Sequence, residues 1–193
     1  MKRVLLTVAV VLFVSLPATA QESGQVGLAM GYPGSIGIIW HASDRMAIRP
    51  DFNFSRLTSE NTGGFSQSQV DGWALGLGLG ALFYSGAKDN LRMYFSPRFA
   101  YSRTKTESAS SSVSSQGIST SETRNNSYQY SGSIGVQYSP GRRFSVYGEA
   151  GLAYTRGNSR FETSPSLLGT VTGETTSNTF GTRAGVGVVV YLK

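Results

Sequence analysis

The sequence predicts an all-β fold, an eight-stranded antiparallel up-and-down transmembrane β-barrel. Three observations carry this. In the stretch 69–85, every second residue from Trp73 is apolar (Trp73, Leu75, Leu77, Leu79, Ala81, Phe83), with Ala74, Gly76, Gly78, Gly80 and Leu82 between them. The same period of two returns in stretch after stretch. The opposite face repeatedly carries Gly, Ser, Arg and Asp, the inverse of a soluble barrel, which fills its interior with apolar volume. Small or polar inside and apolar outside is what a barrel in lipid requires.

The first twenty residues predict export. Met1-Lys2-Arg3 is basic, Val4 to Leu16 is almost wholly apolar, and Pro17-Ala18-Thr19-Ala20 ends on small residues. This is the layout of a secretory signal peptide. The apolar run falls short of the roughly 20 residues of a membrane-spanning helix. Residues 1–20 are therefore expected to be a signal peptide cleaved after Ala20, leaving 21–193 as one barrel domain. Losing Lys2 and Arg3 lowers Lys plus Arg from 17 to 15 against 11 acidic residues, a net charge of +4. Those charges are scattered along an exported chain, so nucleic acid is not an expected partner. There is no cysteine, so stability must come from the closed backbone hydrogen bonding of the barrel rather than from disulfides. Many of the 24 glycines alternate inside strands, which argues against helices.

The strands are expected at 24–31, 35–42, 45–57, 69–85, 91–105, 126–139, 143–157 and 177–192. Their connections are 32–34, 43–44, 58–68, 86–90, 106–125, 140–142 and 158–176. From the second onward they alternate short and long, which predicts short periplasmic turns, long outer loops and both termini on the periplasmic side. The first hairpin is the least regular. A less favoured alternative reads Gln25 to Ala42 as one strand bulged at Pro33-Gly34, giving seven strands.

The apolar faces continue through Met46, Ile48, Pro50, Phe52 and Phe54, then Leu91, Met93, Phe95, Pro97, Phe99 and Tyr101. They resume at Tyr128, Tyr130, Ile134, Val136 and Tyr138, at Phe144, Val146, Leu152 and Tyr154, and at Phe180, Val186, Val188, Val190 and Leu192. Aromatic residues gather near strand ends. Trp40, Phe83, Tyr138 and Phe144 are expected at the periplasmic level, and Phe54, Trp73, Tyr101, Tyr128, Tyr154 and Phe180 at the outer level. Two such girdles are what amphipathic rings form at membrane interfaces.

The opposite faces bring Arg49, Asp51, Arg92, Arg98, Glu149 and Arg183 into the lumen. Glycines 76, 78, 80, 135, 151, 185 and 187 share that phase and leave room for guanidinium groups. Buried charges must pair, so Asp51 and Glu149 are expected to be anchored by Arg49, Arg98 and Arg183. A lumen this narrow is filled by side chains, which favours a structural plug over an ion pathway. On the same reading, a serine at Gly78 or Gly187 is expected to be much milder than an arginine at the lipid-facing Leu77 or Val188.

Taken together, the leader, the alternating strands and the long outer connections resemble the small eight-stranded outer-membrane barrels of Gram-negative bacteria, the OmpA/OmpX-like group. The resemblance runs from about Gly24 to Lys193 and is architectural. Members usually end on an aromatic residue; Tyr191 stands third from the end here, and Lys193 departs from the pattern. The resemblance implies the cell outer membrane as location. It also implies roles such as membrane anchor, adhesin, host-factor binder or stability protein, with a few lipid-A-modifying enzymes among such barrels.

Residues for chemistry are few. His41, the sole histidine, is expected on the inner face near the periplasmic end, away from the outer rim where the lipid-modifying barrels place theirs. One histidine without cysteines makes no metal cluster. Ser43 and Asp44 read as a turn. Gly76-Leu77-Gly78-Leu79-Gly80 lies within a strand, with the wrong spacing for a dinucleotide loop. No catalytic, cofactor or metal site is expected. The leading expectation is a monomeric, non-enzymatic outer-membrane barrel in contact with lipid. It either supports the membrane or binds a surface ligand or host factor through the Ser/Thr-rich segments 106–125 and 158–176. A narrow porin-like pore is the second reading, and an enzyme acting on outer-leaflet lipid the third.

Overall fold

Strands that cross lipid satisfy their backbone only on one another, and they have no tolerable edge unless the sheet closes. The sheet closes here. A computed structural model describes residues 23–32, 34–63, 66–88, 90–112, 117–165 and 169–192; the expected signal peptide lies outside them. The strands are β1 (Val26–Tyr32), β2 (Ser35–Ser43), β3 (Met46–Gly63), β4 (Ser66–Lys88), β5 (Leu91–Ser112), β6 (Gly117–Gly141), β7 (Phe144–Pro165) and β8 (Val171–Tyr191). Each pairs antiparallel with the next, and β8 returns to β1, giving a closed eight-stranded barrel. The seven-strand alternative is excluded. β1 and β2 form a separate hairpin turning at Gly34, whose φ of 26° is the left-handed conformation that glycine tolerates.

The expected face assignment is observed. Leu77, Leu79, Phe95, Ile134, Leu152 and Val186 are exposed on the outside. Residues of the opposite phase, Arg49, Asp51, Ser96, Ser133 and Glu149, are buried inside. Two prolines interrupt the ladder, because proline has no N–H to donate. The β2–β3 pairing skips from Gly37–Asp51 to Trp40–Ile48 around Pro50, and the β4–β5 pairing from Gly80–Arg98 to Phe83–Phe95 around Pro97, with the register the same on either side.

The expectation of long loops is corrected. Most of 58–68, 106–125 and 158–176 is strand: β3 pairs with β4 out to Gly63–Ser66, β5 with β6 out to Ser112–Gly117, and β7 with β8 out to Thr163–Val171. Beyond the lipid, both faces of a strand meet water. Alternation therefore disappears while backbone pairing persists, and side-chain bonds such as Lys105–Glu122 and Ser121–Thr163 continue across it. The short–long alternation is thus one of hairpin height. β4 from Trp73 to Ser66 adds about 20 Å of wall at the usual strand rise.

The end carrying the termini is closed by short turns and by bulges near His41–Ser43, Ser85–Ala87 and Tyr138–Gly141, as is common at barrel rims. Gly24 N–H donates to the His41 carbonyl at 2.8 Å, and Leu192 N–H to that of Val26 at 2.8 Å.

Candidate functional site

Two layers fill the lumen. The one nearer the termini is a floor of Ala29, Ile39, Ala47, Leu82, Tyr84, Tyr94, Tyr147, Val189 and Tyr191, all buried. His41 lies among them, fully buried, its ring stacked on Tyr84 at 5.6 Å between centroids and its Nε2 3.1 Å from the Tyr191 hydroxyl. The Tyr84 hydroxyl donates to Gln137 Oε1 at 2.8 Å, and Gln137 Nε2 donates to the Tyr191 hydroxyl at 2.8 Å. Strands β2, β4, β6 and β8 are thereby tied across the barrel axis.

Above the floor lies the charge cluster. Arg98 Nε donates to Asp51 Oδ2 at 2.8 Å, with a second bond from Nη2 to Oδ1 making a bidentate pair. Glu149 accepts from Arg49 Nη2 at 3.1 Å and from Arg183 Nη2 at 3.1 Å. The Tyr94 hydroxyl donates to Glu149 at 3.2 Å and joins the cluster to the floor, and the Arg49 guanidinium lies 5.3 Å from the Tyr147 ring centroid. The structure therefore brings together five of the six charged lumen residues singled out in the sequence. It places Arg92 at the end with the termini, over the Tyr84 ring at 4.8 Å and donating to the Asp44 carbonyl.

Glycines make this arrangement possible, and a side chain at Gly78 or Gly187 meets occupied space. A Cβ on Gly78 lies 2.5 Å from Asp51 Oδ1, and one on Gly187 lies 2.5 Å from the Met30 carbonyl. One on Gly135 runs into the Tyr94 ring. The space is already occupied by the neighbouring strands' side chains and backbone.

Over the cluster is a cavity of about 390 Å³, lined among others by Arg49, Asp51, Arg98, Glu149 and Arg183. It holds charge and hydrogen-bonding groups but no nucleophile–base pair. His41 lies in the floor, and among the described residues no group of three or more His, Cys, Asp or Glu is placed to hold a metal ion.

The aromatic residues occupy two levels. Trp40, Phe83 and Phe144 are exposed near the termini, and Tyr138 pairs there with Leu91 and Val146. At the far level Phe54, Tyr128, Tyr154 and Phe180 are exposed, while Trp73 and Tyr101 are half-buried. The stretch 73–83 between the levels has the length of a tilted transmembrane strand, about 9–11 residues. The Tyr101 and Tyr128 rings meet at a tilt, 5.2 Å between centroids. The hydroxyls of Tyr101 and Tyr154 donate to Asn126 and Asn178, in the polar wall above.

Sequence reasoning missed the floor. Its signal was present: Leu82 and Tyr84 share the phase of Gly76, Gly78 and Gly80, and Tyr147 that of Glu149.

Residues 6–193 match the family described as "Outer membrane protein beta-barrel domain". Among solved structures, a major outer membrane protein from Thermus thermophilus is similar with a TM-score of 0.56 and 9% identity, over 87% of this chain and 98% of that one. The ferric yersiniabactin uptake receptor FyuA from Yersinia pestis aligns with a TM-score of 0.48 and 12% identity, over 80% of this chain and 24% of that one. CarO from Acinetobacter baumannii aligns with a TM-score of 0.41 and 12% identity, over 88% and 98%. At such identities the first likeness speaks for the fold alone. Curated proteins gave no match.

Proposed function

Because the chain belongs to the outer-membrane protein β-barrel domain family and sits in the outer membrane, we propose that it is a non-enzymatic, non-conducting anchor. Its closed barrel holds a tall polar wall at the cell surface, as a binding scaffold and as a support for the membrane. The two-layer lumen carries this reading. Hydrogen-bonded tyrosines and Gln137 cross the axis on one level, and three arginines with two carboxylates cross it on the next. The segments 106–125 and 158–176 enter this reading as paired hairpins, which hold a surface in a fixed shape more firmly than loops do. A porin-like pore needs a continuous water path, and the floor opposes it.

Planar-bilayer recording of the refolded protein tests the proposal. Absence of steady current is expected. A steady, charge-selective conductance overturns it in favour of the pore.

A further inference from the structure

We propose that the lumen cavity opens sideways through the wall and binds the anionic head of an amphiphile whose acyl chain remains in the outer leaflet. This goes beyond the anchoring role and does not depend on what the outer wall binds.

The opening follows from strand heights. β8 pairs with β7 out to Val171 but with β1 only out to Val186, opposite Tyr32. β3 pairs with β4 out to Gly63 but with β2 only out to Phe52, opposite Ile36. The barrel wall is therefore notched above the β1–β2 hairpin, between a β3 edge over 53–63 and a β8 edge over 171–185. Phe54 and Phe180 mark the outer aromatic level on these two strands. The lowest part of the notch, with residues 181–185 along one side, thus lies below that level, at the depth of lipid. Unpaired strand backbone cannot face hydrocarbon; it is tolerated only where it lines water or polar groups.

The cavity lining shows that the notch is such a place. Thr182 and Ala184 lie in the outward phase of β8, as Tyr32 does in β1, yet they line the same cavity as the inward Arg183, Arg49 and Glu149. The cavity thus reaches through the wall. Its charged lining is three arginines against two carboxylates, an excess of one positive charge. Arg183 is the most accessible of the three, with a side chain 21% exposed, and it shares Glu149 with the more deeply buried Arg49. A guanidinium placed this way has free donors for a phosphate or carboxylate head. Outside the mouth, Tyr32, Ile36, Phe52 and Val186 present exposed apolar surface, which suits a chain lying along the barrel. A free anion uses the cavity but gains nothing from that surface.

Native mass spectrometry of the folded barrel released from neutral detergent tests this, with dodecyl phosphate, dodecanol and inorganic phosphate as probes. One saturable dodecyl phosphate adduct is expected, with neither of the others matching it. Arg183→Gln removes the accessible cation, and Ala184→Trp fills the mouth without touching the charges. Each should weaken the adduct about tenfold, the scale of one lost charge-assisted contact. Ile134→Trp, on the lipid face of β6 with β7 between it and the notch, should leave it unchanged. Equal adducts with dodecanol, or with inorganic phosphate alone, overturn the proposal, as does undiminished binding by folded R183Q and A184W. Folding of each variant is checked by heat-modifiable gel migration, and if a variant fails to fold, the three probes on the unaltered protein decide.

Discussion

Arg49 and Glu149 lie 100 residues apart in sequence and meet at 3.1 Å inside the barrel. The contact joins β3 to β7 across the lumen, so neither residue finds its partner until the ring has closed. Such a pair ties side-chain satisfaction to barrel closure. Its members are buried, so each is costly alone and tolerable together. Arg98 and Asp51 are also buried and paired, but they join β5 to β3 over the single strand β4, so their contact needs only three neighbouring strands.

The face assignment is open to direct test. Leu77 and Val188 point outward on β4 and β8. Arginine at Leu77, midway between the two aromatic levels, should cost about 2–4 kcal/mol of folding stability in bilayers. Arginine at Val188, closer to the end with the termini, should cost less, because the penalty falls toward the interface. Urea titration in lipid vesicles measures both. Tolerance of arginine at both positions contradicts the assignment.

The glycine positions should behave unlike ordinary strand glycines. Gly135→Ala drives a methyl into the Tyr94 ring, and Gly78→Ser drives a side chain into the Asp51–Arg98 pair. Overpacking of this kind costs about 1–3 kcal/mol. Gly148→Ala, where a Cβ meets open space, should be neutral or mildly stabilising. Unfolding midpoints for the three variants in the same vesicles provide the comparison, and equal midpoints contradict the packed lumen.

The membrane span was legible in the sequence and the outer wall was not, for one physical reason. Between the aromatic levels each strand separates lipid from lumen, so Leu75, Leu77 and Leu79 alternate visibly with glycines. Above those levels both faces of a strand meet water. The run Glu107 to Ser115 then reads as a polar loop, although Glu107 to Ser112 pairs residue by residue with Gly117 to Glu122. The charged layer was legible from phase alone, because Arg49, Asp51, Arg98, Glu149 and Arg183 all sit opposite apolar neighbours. Which carboxylate takes which arginine was not, because that depends on the shear between strands. The tyrosine floor had the same phase signal, obscured because an aromatic residue suits either face.

In the wall, the Arg124 guanidinium donates to Glu122 and, with help from Lys105, holds its carboxyl below the usual glutamate range. Hydrogen bonds to Glu107 and Glu122 raise Lys105 above the usual lysine value. A depressed acid contributes stability above its unfolded pKa and loses it as pH falls through the folded one. The outer end of the β5–β6 hairpin should therefore loosen only in acid, below the ordinary glutamate range. Carbon-detected NMR of the Glu122 carboxyl should show a midpoint that moves up in Arg124→Gln. An unmoved midpoint contradicts the pairing.

The central claim is that the charged lumen layer is structural, and Glu149→Ala tests it most directly. The substitution leaves Arg49 and Arg183 without their shared carboxylate. Losing one partner of a buried pair costs on the order of 3–5 kcal/mol, less where water reaches the layer. The measurement is urea unfolding in lipid vesicles beside single-channel recording of the same preparation. The expected result is a clearly lowered unfolding midpoint with both proteins electrically silent. An unchanged midpoint, together with steady current whose ion selectivity shifts in E149A, contradicts the plug and assigns the charges to a pore.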